Sequence, residues 1–440
     1  FDFLVAATPL DFELVPEPDP YSERPGGKRH GRMLSPKALS RRLVGPLARR
    51  LRGSTLPHLF TYGELVRHDP YHHPIRTGLM LLPTLARRLL TGERGQGSAL
   101  IIGLLRGCLD AGVRIETGAR VRELVTDPDG GAVVGVRFDQ GGVPRRLAAR
   151  RGVVLASGGF EWNAALRERH FPGPLDRIGS PRGNEGDGQE IAAAIGAALD
   201  RMDQANIYPC VPTVYEGRPH GLPLTFQAER HAIVVDRHGR RFVAETDFNI
   251  GEALDRRDPA TGAPVHLPAW VIADARFLGR SLPFRWYARK DPAWMVRADG
   301  LEALAERIGV PADALTETVA RFNRFCDDGR DLDFHRGESA FEAYKAHGPE
   351  GRLGRLDRAP FVALSLNRSI LGTKGGARTD AGARVLRPDG SVVGGLYAAG
   401  LAMANPIGTR AVGAGTTIGP NLTWGFIAAE TILTTNAPHA

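Results

Sequence analysis

The sequence predicts an α/β protein in which one glycine-rich α/β domain is interrupted by a second, α+β domain. Three observations support this prediction. A helical pattern near residue 100 is followed by several short β-like segments, and residues from about 206 to 366 are richer in proline, aromatic and charged residues than their flanks. From Gly372 the glycine-rich character returns. We therefore expect domain segments at residues 1–205, 206–366 and 367–440, with the first and third segments forming one domain.

The first segment carries the clearest run of secondary structure. Ser98 to Gly112 has a possible N-cap serine, apolar residues at roughly helical spacing and a terminal glycine, which together predict a helix. The stretches "VRIETGARVRELVTD", "GGAVVGVRF" and "RGVVLASGG" then predict short strands. A helix from about Gly188 to Met202 closes the segment.

The remaining segments alternate strand and helix patterns. The predicted inserted domain contains "HAIVVDRHGRRFVAE", "LPAWVIADARF" and the helical stretch "ADALTETVARFNRFC". After Gly372 the chain shows a turn at Pro388–Gly390, a buried strand "GLYAA", and a last helix from about Pro420 to Thr434.

Composition excludes several classes of protein. The chain has 440 residues, of which 42% are hydrophobic and 24% charged, as expected for a globular protein. Its three cysteines, Cys108, Cys210 and Cys326, form no CxxC pair, which argues against a disulfide framework or a zinc site and favours a cytoplasmic protein. No apolar run reaches the ~18 residues of a membrane span.

The net charge of +8 is concentrated in one place. Ser40 to Gly53, "SRRLVGPLARRLRG", has the pattern of a basic amphipathic helix that could touch a membrane surface or an anionic partner. A solvated arginine-rich face is the favoured interpretation. No nucleic-acid-binding motif is present. We therefore expect neither nucleic acid nor a membrane as a partner.

Three glycine-rich stretches adjoin predicted strands or helices. In "VVLASGGFEWN" a strand ends in small residues, so that another backbone or a flat ligand can come close. In "GNEGDGQEI" free N–H groups precede a helix. An ordinary turn or a plain helix start remains open for these two. "GGLYAAG" leads into a loop with glycines at 408, 413, 415 and 419 and a helix start at Pro420, a context that favours a ligand site.

The stretch "HDPYHHP", His68 to Pro74, contains three histidines and invites a metal interpretation. No cluster of acids or thiols supports it, and the prolines favour a loop. We expect no metal.

Taken together and in this order, the motifs resemble the FAD-dependent 3-ketosteroid dehydrogenases, within the wider fumarate reductase and succinate dehydrogenase flavoprotein superfamily. The resemblance spans nearly the whole chain. It is carried by "DPYSERPGGKRHGRML", "RGVVLASGGFEWN", "NEGDGQEIAAAIGAAL", "GRRFVAE", "LPAWVIADARF", "ADALTETVARFNRFCDDGRDLDFHRGESAFEAY", "LGTKGGARTDAGARVLRPDGSVVGGLYAAG" and "GAGTTIGPNLTWGFIAAE".

The resemblance implies FAD as the cofactor and a Rossmann-like FAD-binding domain interrupted by a substrate-capping domain at residues 206–366. It also implies that an N-terminal βαβ dinucleotide fold, about 100 residues or more, is missing from this sequence. We therefore expect the chain as given to bind FAD poorly or not at all.

Cofactor-binding residues are carried over by the same resemblance. On the adenine and ribose side it implies Val121, Ala156, Ser157, Gly158, Asn184 and Asp187. At the flavin end it implies Gly400 and Leu401, and the backbone at Pro420, Asn421 and Leu422, where a helix N-terminus would stabilise negative charge.

The catalytic residues depart from the family pattern. Two of the tyrosines that ketosteroid dehydrogenases use fall at Asn249 and Ala411, and a third is matched by Tyr21. The Gly415 N–H would donate to the substrate carbonyl. Arg410 matches a substrate-binding arginine of fumarate reductases, or is a structural arginine that bonds loop carbonyls.

We therefore expect an FAD-dependent oxidoreductase that acts on a CH–CH bond next to a carbonyl and passes hydride to flavin N5. The expected partners are a small hydrophobic keto substrate of the steroid kind and an electron acceptor that the sequence does not identify. Two alternatives are a fumarate reductase-like enoate reductase, supported by Arg410, and an inactive truncated fragment unable to hold FAD.

Overall fold

The computed structural model describes residues 1–129, 131–346 and 353–435. The α-helices, in chain order, are α1 (Asp2–Ala7), α2 (Tyr62–His68), α3 (Pro74–Met80), α4 (Leu82–Thr91), α5 (Gln96–Asp110), α6 (Ala164–His170), α7 (Asp187–Ala194), α8 (Ile250–Leu254), α9 (Ala275–Gly279), α10 (Leu282–Ala288), α11 (Leu301–Ile308), α12 (Ala312–Asp328), α13 (Ala340–Lys345) and α14 (Ile418–Thr435). Short 3₁₀ helices include Arg41–Arg49, Phe226–Ala228, Pro292–Trp294 and Gly400–Ala402.

The strands, in chain order, are β1 (Phe12–Leu14), β2 (Leu34–Pro36), β3 (Leu39–Ser40), β4 (Glu93–Arg94), β5 (Ala119–Thr126), β6 (Val133–Gln140), β7 (Val143–Ala148), β8 (Val153–Leu155), β9 (Leu175–Ile178), β10 (Leu199–Asp200), β11 (Ala205–Ile207), β12 (Cys210–Tyr215), β13 (Arg218–Pro223), β14 (Ala232–Val235), β15 (Trp270–Ala273), β16 (Met295–Ala298), β17 (Phe361–Ser365), β18 (Arg368–Thr373), β19 (Gly376–Ala377), β20 (Arg384–Leu386) and β21 (Val392–Ala398).

The chain forms two compact units. Unit 1 comprises Phe1–Ile115, Val211–Asp247 and Ala269–Leu366, and unit 2 comprises Glu116–Cys210, Phe248–Pro268 and Asn367–Ala440. The predicted segment boundaries at 205/206 and 366/367 lie at or near unit boundaries. Residues 347–352 and 436–440, which the predicted segments include, lie outside the described residues.

The first 115 residues belong to unit 1, whereas the sequence predicted them within the first domain segment. Polar contacts explain this grouping. Arg52 forms an ion pair with Glu216, and the Ser281 hydroxyl donates to the Tyr71 carbonyl at 2.8 Å. The function assigned to each predicted segment stays a prediction.

Unit 1 is built on the antiparallel sheet β14–β15–β17–β16. Strand β14, "AIVV", is buried at every position, as expected for a strand covered on both faces. Helices α11 and α12 contribute Leu304, Leu315 and Phe322 to the hydrophobic core over this sheet. Burial of these side chains is the main stabilising term for the unit.

A buried ionic network lies beside this sheet and explains the motif "GRRFVAE". Arg241 pairs with Glu245 and Asp331 at 2.8 Å each, and Arg336 reaches Glu245 at 3.2 Å. Glu245 also accepts from the Val234 N–H at 3.0 Å. Coulombic attraction to the two arginines outweighs burial and lowers the pKa of Glu245. The charged residues of this motif therefore hold parts of unit 1 together through buried ion pairs.

Unit 2 contains the three-stranded sheets β20–β21–β8, β11–β18–β9 and β5–β6–β7. Strands β8 and β21 run parallel, with Leu155 opposite Ala398. Apolar residues from these sheets and from α7 form one core, which includes Leu155, Ala192, Val393 and Leu396. This core positions the loops that follow β8 and β21.

Three sequence expectations need correction. The helix predicted to run to Met202 ends at Ala194, because Gly196 adopts φ +81° and the chain then enters β10. Within the basic stretch Ser40–Gly53, residues Arg41–Arg49 form a 3₁₀ helix broken at Gly45 (φ +54°), so the stretch forms no continuous amphipathic α-helix. The last helix begins at Ile418, two residues before the predicted start.

The arginines of the basic stretch have local roles. Arg41 donates to the Ala48 carbonyl at 2.5 Å and Arg42 to the Leu90 carbonyl at 2.9 Å. In the described ranges 1–129, 131–346 and 353–435, the helices are too short or too polar to cross a membrane.

Candidate active site

The loops that follow β8 and β21 lie at one edge of their sheet. Because the two strands are parallel, their carboxyl ends point the same way. The residues after β8 include Ala156, Ser157 and Gly158, and those after β21 include Gly400 and Leu401. The structure thus brings together five predicted cofactor-binding residues. Ala156 and Ser157 are exposed at this edge.

Gln189 connects these loops and was not predicted from the sequence. Its side-chain N–H group donates to the carbonyls of Leu401 at 3.0 Å, Gly158 at 3.2 Å and Gly375 at 3.3 Å. The side chain is buried, and its Oε1 has no hydrogen-bond partner among the described residues. No sequence signal distinguishes this glutamine, since its three partners are backbone atoms brought together by folding.

The turn at Gly158–Gly159 leaves no room for side chains. Gly158 has φ +92°, and a Cβ there would lie 2.3 Å from Asn184 Oδ1. A Cβ at Gly159 would lie 2.4 Å from the Thr373 hydroxyl oxygen. Asn184 donates to the buried carboxylate of Glu161 at 2.7 Å, so this amide supports the turn. The glycines are therefore required by close packing as well as by backbone conformation.

The acidic residue at the start of α7 is paired. Arg120 contacts both carboxylate oxygens of Asp187, at 2.7 and 2.9 Å, and also reaches Glu185 at 2.8 Å. The neighbouring Val121 lies in β5 at an irregularity in the pairing with β6, between Val121 and Glu123. Such a bulge interrupts the ladder and re-aims the backbone. The predicted cofactor contacts of Val121 and Asp187 stay predictions.

The N-terminal turn of α14 lies beside the loop after β21. A Cβ at Gly400 would be 4.0 Å from Asn421 Cγ, and Pro420, Asn421 and Leu422 occupy the first turns of the helix. The helix N-terminus and the residues Gly400 and Leu401 therefore share one location. The Gly419 N–H donates to the Gly415 carbonyl at 2.8 Å and the Asn421 N–H to the Thr417 carbonyl at 3.2 Å. The positive end of the helix dipole favours an anionic group there.

Lys374 is a buried cation next to this helix start. Its Nζ donates to the Thr417 hydroxyl at 2.9 Å, and the residue is only 3% exposed. No carboxylate accepts from Lys374 within the part of the chain that the structure describes. Burial lowers the pKa of its ammonium group to about 8. The sequence around this residue, "GTKGG", shows no pattern that predicts burial of a lysine.

Asn249 forms a two-point contact with the backbone of Ala411. Its Oδ1 accepts from the Ala411 N–H at 2.8 Å, and its Nδ2 donates to the Ala411 carbonyl at 3.0 Å. Asn249 is buried and precedes α8, which packs so closely on β11 that a Cβ at Gly251 would lie 1.9 Å from the Ile207 carbonyl oxygen. The two positions at which the resemblance expects tyrosines are thus bonded to each other.

The adjacent residue, Arg410, forms an ion pair at the protein surface. Arg410 makes a forked contact with the carboxylate of Glu252, at 2.9 and 3.1 Å, and is half exposed. A structural ion pair of this kind accounts for the arginine without a substrate. Gly415, in the same loop, has φ +90°, and a Cβ there would meet no atom within 4 Å. Its backbone conformation favours glycine, and space is open beside it.

Tyr21 belongs to unit 1 and was the predicted third tyrosine. The guanidinium of Arg24 lies over its ring, 5.0 Å from the centroid. Tyr215, another tyrosine of unit 1, donates its hydroxyl to the Gly53 carbonyl at 3.0 Å. The catalytic role of Tyr21 stays a prediction.

The histidine stretch forms a charge cluster. His72 Nδ1 lies 2.7 Å from Asp69 and its Nε2 lies 2.7 Å from Glu229. Burial would lower the pKa of His72, but hydrogen bonds to the two carboxylates outweigh it and raise the pKa to about 9. The described residues contain no group of three or more side chains arranged to hold a metal ion.

A cavity of about 640 Å³ opens in unit 1 beside α10 and β16. Its walls include Phe284, Met295, Arg285, Arg289 and Arg297. The residues that line it include none of the predicted site residues. The cavity is therefore not evidence for the candidate site in unit 2.

Comparison with known proteins gives consistent results. The family model for the FAD binding domain matches residues 21–418. A 3-oxosteroid 1-dehydrogenase from Mycobacterium tuberculosis is 35% identical over 97% of this chain and 80% of its own length. A 4-oxocyclohexanecarboxylate 2-dehydrogenase from Sinomonas cyclohexanicum is 34% identical over 94% of this chain and 73% of its own length.

A solved structure is similar over nearly the whole chain. The crystal structure of 3-ketosteroid delta1-dehydrogenase from Sterolibacterium denitrificans, in complex with 1,4-androstadiene-3,17-dione, superposes with a TM-score of 0.86 and 30% identity. The match covers 99% of this chain and 83% of that one. The chain therefore has an FAD-binding flavoenzyme fold of mixed helices and sheets, and the dehydrogenase interpretation is favoured over both alternatives.

Proposed function

The chain belongs to the FAD-binding domain family, as a 3-ketosteroid dehydrogenase-like member of the fumarate reductase and succinate dehydrogenase flavoprotein superfamily, and from this premise we propose that it desaturates an apolar cyclic ketone. It is an FAD-dependent oxidoreductase. The proposed reaction removes two hydrogens from a CH–CH bond beside the carbonyl. A 3-ketosteroid is the first candidate substrate.

The substrate class is supported by what the relatives act on. One relative is a steroid dehydrogenase and another a dehydrogenase of 4-oxocyclohexanecarboxylate, so both names describe a ring ketone. The structural neighbour is in complex with a 3-keto steroid, 1,4-androstadiene-3,17-dione. Two further expectations, the capping role of residues 206–366 and the cytoplasmic location inferred from cysteine content, stay predictions.

The residues of unit 2 fit FAD. Gln189 Oε1 is a buried acceptor without a partner among the described residues, and a cofactor hydroxyl could donate to it. Lys374 is a buried cation that an anionic group would stabilise. The residues proposed to hold the cofactor are Val121, Ala156, Ser157, Gly158, Asn184 and Asp187 on the adenine and ribose side, and Gly400, Leu401, Pro420, Asn421 and Leu422 at the flavin end. When bound, FAD supplies the hydride acceptor at its N5.

The loop between Gly408 and Thr417 is proposed to bind the keto group. The Gly415 N–H is the proposed donor to the ketone oxygen, since its φ of +90° and the open space beside it allow close approach. The contact between Asn249 and Ala411 holds this loop in place. Asn249 therefore acts as a positioning residue rather than as an acid or a base.

Proton abstraction needs a base that Asn249 does not provide, because an amide has no basicity near neutral pH. Tyr21 is the proposed base, on the strength of the resemblance alone. Arg410 is proposed to stabilise the loop through Glu252. A role for Arg410 in binding a substrate carboxylate would require this ion pair to open.

The single observation that carries the proposal is the convergence of the loops after β8, β18 and β21 on Gln189, with the α14 N-terminus beside Gly400. Weak FAD binding by the chain as given stays a prediction, so the test first measures flavin loading from the visible absorbance band. It then uses the FAD-loaded protein with an artificial dye as electron acceptor. We expect 4-androstene-3,17-dione to lose two hydrogens, seen as a 2-Da decrease by mass spectrometry, and Gly415→Ala to lower kcat because alanine is strained at that φ.

Arg410→Met is the matched comparison. We expect it to retain ketone desaturation within about threefold, because the pair with Glu252 is exposed. The proposal fails if neither the steroid nor 4-oxocyclohexanecarboxylate is desaturated while the reduced protein hydrogenates unsaturated acids.

A further inference from the structure

We propose that Lys374 is a flavin-tuning residue: its ammonium group, together with the N-terminus of α14, stabilises the negative charge that the flavin ring acquires with a hydride. The inference rests on the proposed function only through the cofactor, not through the ketone.

Hydrogen bonds connect Lys374 to the start of α14 and to two neighbouring loops. Its Nζ bonds Thr417, the residue before α14. Its carbonyl accepts from the Asn405 N–H at 2.8 Å, and its N–H donates to the Gln204 carbonyl at 2.8 Å. The flanking carbonyl of Gly375 is one of the three that Gln189 contacts. The lysine backbone is therefore rigidly held between the β18 end and the loop that leads to α14.

Among the described residues, no carboxylate balances the positive charge of the Lys374 ammonium group. A buried ammonium group loses its hydration, and it is normally paired with a carboxylate for that reason. Among the residues in 1–129, 131–346 and 353–435, the hydroxyl of Thr417 is the partner of its side chain. A neutral hydroxyl does not offset a full charge. An anionic group outside the chain would do so, and the adjacent helix N-terminus favours the same sign.

The reaction supplies such a charge. Bound FAD would accept the hydride of the proposed reaction and would gain negative charge, while the proton from the neighbouring carbon would go to the base. A cation and a helix N-terminus beside the ring stabilise this reduced form more than the neutral oxidised form. Lys374 would thus raise the two-electron reduction potential.

An anion has a second possible source in FAD, because the pyrophosphate also carries negative charge. The two possibilities make different predictions. A lysine at the pyrophosphate changes FAD affinity and leaves the potential alone. A lysine at the ring changes the potential. The experiment therefore measures both quantities.

The test compares Lys374→Met with wild type, each loaded with FAD. Midpoint potentials are measured against reference dyes, and the dissociation constant for sulfite, which prefers electron-poor flavins, is read from bleaching of the visible flavin band. We expect sulfite to bind at least about tenfold more weakly to the variant. A tenfold change in the reduction equilibrium corresponds to a potential lower by about 30 mV.

Three further variants separate charge from packing. Lys374→Arg keeps the charge and should restore most of the sulfite affinity. Lys37→Met removes an exposed lysine paired with Asp11 and should change nothing. Thr417→Val keeps the lysine and removes its hydroxyl partner. It provides the test if Lys374→Met does not retain FAD, and we expect at least about a threefold change in sulfite affinity.

The proposal is overturned if Lys374→Met binds FAD and keeps its potential and sulfite affinity within twofold of wild type. It is equally overturned if FAD affinity falls while the potential is unchanged, which would place the lysine at the pyrophosphate. In the fallback case, an unchanged Thr417→Val overturns it. None of these measurements uses a ketone, so failure of the proposed reaction would not be confused with failure of this inference.

Discussion

The side-chain amide of Asn249 bonds both backbone polar groups of Ala411, accepting from the N–H at 2.8 Å and donating to the carbonyl at 3.0 Å. Family resemblance places tyrosines at both positions. In this chain the pair instead joins the start of α8 to the loop that leads to α14. Where the family resemblance predicts two tyrosine hydroxyl groups, this chain therefore has a pair of hydrogen bonds between a side chain and the backbone.

We expect Asn249→Ala to loosen the loop from Gly408 to Thr417. Loss of two hydrogen bonds at a buried position should lower the free energy of unfolding by about 1–3 kcal/mol. Hydrogen exchange of the Ala411 amide should accelerate, as measured by NMR or mass spectrometry.

Asn323 offers a matched control, because its amide makes the same two-point contact with Leu356, at 2.8 and 3.0 Å. Asn323→Ala should destabilise unit 1 to a similar extent without changing exchange at Ala411. Equal acceleration in both variants would show that the Asn249 contact has no specific effect on the loop.

Gln189→Leu should weaken FAD binding. The substitution leaves the carbonyls of Gly158, Gly375 and Leu401 without their shared donor, so the loops lose their connection. We expect the dissociation constant for FAD to rise at least about tenfold, measured by the quenching of flavin fluorescence.

Gln227→Leu is the control for this substitution. Gln227 is also buried, donates to a carbonyl, that of Glu245, and has an Oε1 without a partner among the described residues. It lies in unit 1, so its loss should reduce stability and leave FAD affinity unchanged. If both variants lose FAD affinity equally, the hydrogen bonds of Gln189 have no specific effect on cofactor binding.

Lys374→Met should stabilise the protein in the absence of FAD. Burial lowers the folded-state pKa of Lys374 from 10.5 to about 8, so the unfolded chain binds more protons between these values. The wild type is therefore destabilised below pH 8, by on the order of 2 kcal/mol, and recovers as the pH rises toward 10.5. Urea unfolding should show the variant's advantage at pH 7 and its decline at pH 10. A variant that is less stable at pH 7 would contradict this account.

His72 should stabilise unit 1 in a pH-dependent way. Its folded-state pKa, about 9, exceeds the ordinary 6.5, so its contribution is complete below pH 6.5 and is lost as the pH rises through 9. We expect His72→Leu to reduce the free energy of unfolding by about 2–3 kcal/mol at pH 6 and far less at pH 10.

The control is His335→Leu, because His335 is exposed beside Glu338. That variant should change stability little at either pH. Equal losses at pH 6 and pH 10 for His72→Leu would indicate packing rather than charge.

Glu245→Gln should destabilise unit 1 strongly. Both Arg241 and Arg336 would lose a buried carboxylate partner, and an uncompensated buried charge is typically worth about 3–5 kcal/mol. The control is Glu338→Gln, because the Glu338 carboxylate pairs with Arg330 at the surface. Thermal unfolding of both variants compares the loss of a buried ion pair with the loss of an exposed one. Similar midpoints for both variants would show that the network contributes little.

Local patterns in the sequence predicted much of the fold. The helix near Ser98, the strands at β5, β6, β8 and β21, and the last helix follow from apolar periodicity and glycine placement, and all are present. The helix predicted to Met202 stops early, because the left-handed conformation of Gly196 is a property of the folded chain. The basic segment fails as an amphipathic α-helix for a similar reason, because Gly45 adopts a left-handed conformation within it.

The sequence by itself determined the cofactor class through its resemblance to a flavoprotein family, and it shows directly the glycines at 158, 400, 408 and 415 that allow close approach of the backbone. Tertiary structure alone decided what the polar residues do. Gln189, Lys374 and Asn249 act on backbone atoms or hydroxyls up to 212 residues away in the chain. A contact between a side chain and a distant carbonyl leaves no pattern in the sequence, because every residue offers the same carbonyl.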